Sequence, residues 1–385
     1  GNPLAHLPGH RYYTTNPCVT GDTLVLTAAG WKPVRDVEEG HPIITVRGKG
    51  AVEIREVHQK APVFLVTFSD GGTVRSTAAH QFHARDSRTK FFTPTKLDQL
   101  KVGDWVRVLE TGGGFPATRL ETHLSQYDFG LLLGVLLGDG GYTGTNVSIS
   151  SNADEGDWNN VLIGLLQRAG AERVRTDTNK RDKAVRLYPI GFELPSPLEP
   201  VTAPNKVIPE AVLVSNKTVL AGVLDGLFST DGNVNLRSNH PQLRFDTSSA
   251  KLAQQVRRVL LMFGIHGRIT QVDPVPHEYD GRVIKANGPK YTVTVSGSSL
   301  GVFLQNLTLS HPKKLAKLIE ARQWSNFTGG NFAAQVVSIV PAGEEEVYDL
   351  YEPLSDTWIT EGYVSRGCGE QYLPSFGVCN LGSIN

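Results

Sequence analysis

Hydrophobic and polar positions alternate in two different rhythms along this chain. From residue 18 to about 108, short apolar runs at 23–26, 42–46, 63–68, 73–76 and 105–108 are separated by Gly-centred turns. Runs this short, in period two, predict a compact all-β unit. The same texture returns at 336–340, 347–350, 358–360 and 362–364. Between these parts the period lengthens. After a linker at Thr111-Gly112-Gly113-Gly114-Phe115-Pro116, the pattern predicts helices over 131–137 and 158–169, with a strand at 147–150 between them. Residues 173–188 alternate basic and apolar types, as a half-exposed strand pair does. Pro195, Pro197, Pro200 and Pro204 mark a second linker.

The order then recurs, with an apolar helix over 220–228, a strand over 243–247 and a helix over 250–263 closed by Gly264. Asp139 to Gly170 covers 31 positions and Asp231 to Gly264 covers 33, and Ser150-Ser151 matches Ser248-Ser249, so the middle of the chain is an internal duplication. A basic helix over 312–322 and Gly329-Gly330 end it. The simplest architecture is a mainly β unit (18–118 and 335–367) split by an inserted α/β duplication (119–334, repeats about 125–191 and 206–308), with flanks at 1–17 and 368–385.

Composition narrows the classes. The 385 residues are 39% hydrophobic and 20% charged, with zero formal net charge, so any nucleic-acid surface must be local. The longest apolar run, 129–138, reaches about half a membrane span, and no charged-then-apolar leader opens the chain, so no membrane partner is expected. Cys18, Cys368 and Cys379 are too few for a disulfide framework, and the expectation is a reducing cytoplasm with thiols available as nucleophiles.

Two of those thiols are placed for acyl transfer. Removing 18–367 would join Asn16-Pro17 to Cys368-Gly369-Glu370-Gln371, so a cysteine stands on each side of the insert and either completes the same short sequence. The Cys18 sulfur can add to the Pro17 carbonyl and convert the amide to a thioester, which requires a polarised carbonyl and a proton for the departing nitrogen. Thr77-Ala78-Ala79-His80 offers a hydroxyl and an imidazole on one short loop. Cys368 can then accept the acyl group by thioester exchange. A lone Cys18 would read as a buried structural cysteine, but its duplicate context at Cys368 argues otherwise. His80 and His83 lack the further ligands of a zinc site.

These residues resemble the terminal motifs of an intein of the Hedgehog/intein (HINT) fold. The resemblance covers 18–40, the Thr77-x-x-His80 motif and 347–368, about a third of the chain. It implies Pro17/Cys18 and Gly367/Cys368 as splice junctions, and a role for Asp349, eighteen residues before Gly367, in tuning the Cys368 thiol. The pattern departs at its end. Inteins normally close in His-Asn, and the Asn cyclises to release the insert; this chain has Arg366-Gly367, and Asp356 where an upstream histidine is usual. Glycine has no side-chain amide, so release is expected to stall. The substitution is either engineered or the mark of a divergent element.

The duplicated middle resembles a single-chain, two-motif LAGLIDADG homing endonuclease. Its motifs are 132–140 (LLGVLLGDG) and 224–232 (LDGLFSTDG), and Lys206-Val207-Ile208-Pro209 also fits. Small residues let two such helices pack closely and bring Asp139 and Asp231 together, where hard carboxylate oxygens suit Mg2+ against a scissile phosphate. The partner implied is double-stranded DNA spanning the insertion site, bound by a monomer. On the β saddles of this family, Arg173, Arg175, Lys180, Lys183 and Arg186 in the first repeat, and Arg237, Arg244, Arg268, Arg282, Lys285 and Lys290 in the second, are the candidate DNA contacts. Lys183 and Lys290 are candidates to activate water.

The flanks resemble the active-site loop of a ribonucleotide reductase large chain, closest to the adenosylcobalamin-dependent class. That resemblance implies Asn16, Cys368 and Glu370 around the radical site and Cys379 in a redox pair. The host's cofactor and activity belong to the intact enzyme, because these flanks are too short to build it. A splicing-defective scaffold carrying an active or decayed DNA-binding endonuclease is the alternative reading.

Overall fold

The computed structural model describes residues 18–143, 146–236, 240–273, 277–279, 282–284, 288–324 and 332–367. Pro17, Asn16, Arg237, Lys285, Cys368, Glu370 and Cys379 lie outside them. Within them the helices are α1 (Gln126–Gly138), α2 (Gly156–Arg168), α3 (Glu210–Leu213), α4 (Lys217–Asp231), α5 (Ala250–Met262), α6 (Ser298–Asn306) and α7 (Pro312–Trp324).

Strands within 19–107 and 333–366 build one antiparallel sheet of 13 strands. The short strand Val19–Thr20 lies between Thr73–Ser76 and Ala333–Tyr351, with Val19 opposite both Ser76 and Tyr348 and Thr20 opposite Val347. Two strands were expected at 336–340 and 347–350, but the structure runs them together as Ala333–Tyr351, paired along Ile54–Phe68. The polar stretch between them stays in the ladder because three register shifts absorb it, the role of β-bulges. That strand begins at Ala333, so the β body takes in two residues assigned above to the insert. The last strand, Tyr363–Arg366, pairs with Thr357–Thr360 and Gln81–Arg85.

The insert is a duplication in space as well as in sequence. Its first sheet orders Gly140–Thr143, Asn146–Asn152, Ala184–Ile190 and Arg173–Thr178; its second orders Gly232–Asn235, Gln242–Thr247, Lys290–Ser296 and Gly267–Val272. In both sheets the third and fourth strands swap their chain order, and α2 or α5 precedes that pair. Helix α6 was not foreseen, and strand Gly267–Val272 was anticipated only through Arg268 on the second saddle.

Helices α1 and α4 form the centre. Residues 129–137 of α1 are all buried, and so are Val219, Leu220 and 222–229 of α4. Helices apolar all round must be enclosed by other elements, and the two saddles enclose these. Their starts are fixed by side chains: Ser125 Oγ accepts from Asp128 N, and Asn216 Oδ1 accepts from Thr218 N and Val219 N. Among the described residues no helix is long and apolar enough to cross a membrane.

Candidate active sites

The β body assembles the first site. Because Val19 pairs with Ser76, the next residues back and forward, Cys18 and Thr77, face each other. Thr77 N donates to the Cys18 carbonyl at 2.9 Å. The Cys18 N–H donates to Thr77 Oγ1 at 3.2 Å, and that hydroxyl is 3.4 Å from the Cys18 carbonyl oxygen. Cys18 is buried among Val63 and Val347. The loop is closed by His80 N donating to Thr77 O at 3.1 Å. The His80 ring is fully buried, meets Phe82 edge-on with centroids 4.7 Å apart, and has Nε2 3.0 Å from Ser365 Oγ.

Asp349 is also buried, one residue beyond the Val19–Tyr348 pair, and its Oδ1 accepts from Leu350 N at 2.9 Å. Gly367 packs against the same strand: a Cβ there would meet the Leu350 carbonyl oxygen closer than carbon and oxygen can approach. The two other departures from the family pattern meet each other, as Arg366 Nε pairs with the Asp356 carboxylate. Burial, and then the charges of Arg107 and Arg366, push the His83 imidazole down to about 4. So Cys18, Thr77 and Asp349 lie at the short strand Val19–Thr20 and its two neighbours, with His80 on the loop after Thr77 and Gly367 against Leu350.

The second site sits where α1 and α4 cross. Glycines allow the approach. A Cβ on Gly226 would lie 2.5 Å from Leu131 O, and Cβ atoms on Gly130, Gly134 and Gly222 would likewise strike backbone of the facing helix. Asp139 caps α1 and Asp231 ends α4. Gly140 and Gly232, which follow them, leave no room for a Cβ against the preceding helical turn. Burial and then the Asp231 charge push the Asp139 carboxyl up to about 7, against the pull of Lys314 and Lys206; burial also raises Asp231.

Two amines complete the arrangement with approximate symmetry. Lys206 Nζ donates to the carbonyls of Gly138 (2.6 Å) and Gly140 (3.1 Å), at the end of α1; Lys314 Nζ donates to those of Ser229 (2.8 Å) and Thr230 (2.5 Å), at the end of α4. Cations at helix C-termini satisfy orphan carbonyls and oppose the dipole. Both amines are lowered by burial and raised by the two carboxylates. Sequence reading missed Lys314; the available signal was the basic start of α7 following the second repeat. Lys183, a candidate above to activate water, is exposed and pairs with Asp154 at 2.9 Å, while Lys290, the other candidate, pairs with Asp246 at 2.7 Å and reaches Asp231 only electrostatically.

The saddles present the basic side chains. Arg173, Arg175, Lys180, Lys183, Arg186, Arg244, Arg268 and Lys290 are all exposed. Alternation does the sorting: Leu243 and Phe245 are buried under the sheet while Arg244 faces out. Arg244 and Arg268 flank Thr294 in one cross-strand row. Arg175 pairs with Asp177 and lies over the Tyr188 ring, so it is partly engaged. Of Arg282 the structure describes only the backbone. Among the described residues no group of three or more His, Cys, Asp or Glu could hold a metal ion.

The description "LAGLIDADG-like domain" matches residues 218–308. The chain is similar over its full length, at 23% identity, to the ribonucleoside-diphosphate reductase NrdEB subunit alpha of Bacillus subtilis, and spans 40% of that protein. It is 24% identical over 84% of its length to the replicative DNA helicase DnaB of Rhodothermus marinus, covering 35% of it. Among solved structures, the Ssp DnaB mini-intein variant M86 is similar at 10% identity and a TM-score of 0.30, over 92% of this chain and 95% of that one. The described residues thus form a β body from two stretches of the chain, interrupted by a duplicated α/β unit whose second half matches a LAGLIDADG-like domain.

Proposed function

We propose that this chain begins protein splicing at Cys18 and cuts double-stranded DNA at Asp139 and Asp231, and that release of the insert is blocked. The observation that carries the first part is the Thr77 hydroxyl within hydrogen-bond distance of the Cys18 nitrogen, the atom that must leave. The Cys18 sulfur adds to the Pro17 carbonyl carbon, the carbon–nitrogen bond breaks, and the thiol proton ends on the nitrogen, giving a thioester and a free amine. Thr77 delivers that proton, and His80, held by Ser365, orients the loop. The Cys368 thiol then takes the acyl group and regenerates the Cys18 thiol.

Gly367 supplies no amide to cyclise, and the Arg366–Asp356 pair occupies the places of the usual histidines. The final products are therefore a branched precursor or its hydrolysis products. The test is mass analysis of the purified chain with and without a small thiol. Cleavage before Cys18 without joining of the flanks is the expected result; an inert full-length chain supports the scaffold alternative, and efficient joining refutes the block.

For the nuclease, two carboxylates at facing helix ends, both raised by desolvation and Asp139 pushed up to about 7, form a site whose charge a divalent cation would complete, and hard oxygen donors fit Mg2+. Asp139 and Asp231 would hold it, and it would supply charge neutralisation at the scissile phosphate. Lys206 and Lys314 hold the two helix ends in place and add positive charge beside the phosphate. The exposed arginines of the saddles track the backbone of DNA that spans the insertion site. One chain contains both half-sites, which supports action as a monomer.

A further inference from the structure

Helix α5 of the inserted domain has two buried faces. Leu252, Val256, Val259 and Leu260 enter the core of the insert, whereas Gln254, Arg257, Arg258 and Leu261, spaced i, i+3, i+4 and i+7, turn to the β body. Leu261 packs within the core of the β body, and Gln254 Nε2 donates to Gly71 O at 2.8 Å. Arg258 pairs with Glu361 at 2.9 Å.

Arg257 goes deepest. Its guanidinium, 1% exposed, donates to Asp70 Oδ2 at 2.6 Å, to the Tyr363 hydroxyl at 3.0 Å and to the Glu361 carbonyl at 3.1 Å. The Tyr363 hydroxyl donates in turn to Asp70 Oδ1 at 2.5 Å, and His266 Nε2 lies 2.9 Å from Asp70 Oδ2. Asp70 and Tyr363 belong to the β body, Arg257 and His266 to the insert. Removing one partner of such a buried pair leaves an uncompensated charge, which is far more disruptive than the pair itself is stabilising.

This cluster leads directly to the first site. Tyr363 opens the strand whose Ser365 holds His80 Nε2 and which runs on to Gly367. Phe68, two residues before Asp70, stacks on Tyr363 at 4.0 Å and meets Phe82 edge-on, and Phe82 meets His80. We infer that Arg257 is a positioning residue for the splicing centre: by fixing Tyr363 it sets where Ser365 holds His80, so acyl shift at Cys18 depends on the inserted domain. The inference rests on the splicing reading above.

The test uses the full chain with Arg257→Lys, Tyr363→Phe and, as a control on the same helix stripe, Gln254→Ala. Two readouts are needed: the rate of thiol-induced cleavage before Cys18, and the His80 imidazole resonances in a 1H–15N spectrum. Tyr363→Phe deletes one hydroxyl and keeps the ring, so it decides the matter even where Arg257→Lys does not fold. Expected for Tyr363→Phe is a loss of cleavage rate of about tenfold, the scale of a small misplacement of a reacting group, with shifted His80 signals and unchanged values for Gln254→Ala. If Tyr363→Phe cleaves at the wild-type rate with unmoved His80 signals, or if Gln254→Ala slows cleavage equally, the inference is wrong. A wild-type chain inert to thiol sinks the splicing reading instead, and the His80 signals then decide the positioning alone.

Discussion

Asp139→Asn should stabilise the metal-free protein while destroying its nuclease activity, and by an amount that depends on pH. The folded chain holds the Asp139 carboxyl up to about 7 against 3.8 for the free group, chiefly through burial and then through Asp231, despite Lys314 and Lys206. Ionisation is thus disfavoured in the fold by about 4 kcal/mol at about 1.4 kcal/mol per pKa unit. The folded pKa is raised, so the associated stability is complete below the unfolded value and disappears as pH rises through about 7. At about pH 3, below the unfolded value, the protonated acid and the amide are nearly equivalent, and the two proteins should melt together. By pH 8.5 in a chelator the Asn variant avoids the penalty and should melt roughly 5–10 °C higher, taking the usual scaling for a domain of this size. Divalent cation should close the gap from the other side, since it stabilises only a chain that binds it. Calorimetry across this pH range, with chelator and with Mg2+, is the assay. An Asn variant that melts no higher than wild type at pH 8.5 in chelator would show that the carboxyl is not strained, and the reading of the site as a cation seat would lose its basis.

Three further outcomes are expected. Gly226→Ala places a methyl 2.5 Å from Leu131 O and 2.6 Å from Val135 N, both backbone atoms that cannot yield locally; it should cost about 1–3 kcal/mol of stability and slow DNA cleavage more than DNA binding, measured by melting and by gel assays. Lys314→Met removes one of the charges that lower Asp139, so the pH at which metal-free stability falls should move upward, and cleavage should drop by at least about tenfold. Gly367→Asn alone should fail to release the flank beyond Cys368, because the new side chain meets the Leu350 carbonyl and Arg366 remains bound to Asp356; product masses decide it, and clean release by the single variant would count against the block.

Local signals determined a good deal here. Short alternating runs with Gly turns announced the β body, and the recurrence of Asp-Gly after an apolar helix announced the duplication. Both are periodicities that a chain displays without reference to its fold. Sequence also supplied the residue types at each site, because a thiol, a hydroxyl, an imidazole and paired carboxylates advertise their chemistry wherever they sit. It even carried the double stripe of α5, with Leu252, Val256 and Leu260 on one side and Gln254, Arg257, Arg258 and Leu261 on the other, although one face of a helix does not say what it will meet.

Tertiary structure decided which residues meet. The pairing of Val19 with Ser76 and Tyr348 brings Cys18, Thr77 and Asp349 together from positions up to 331 residues apart in the chain. The helix crossing placed Lys206 and Lys314 at the site, because only amines that reach the ends of α1 and α4 can answer the orphan carbonyls there. The salt bridge between Arg366 and Asp356, and the cluster of Arg257 with Asp70 and Tyr363, were invisible in the sequence for the same reason. Charge type is written locally, but the partner that makes its burial tolerable is assigned by packing between segments far apart along the chain.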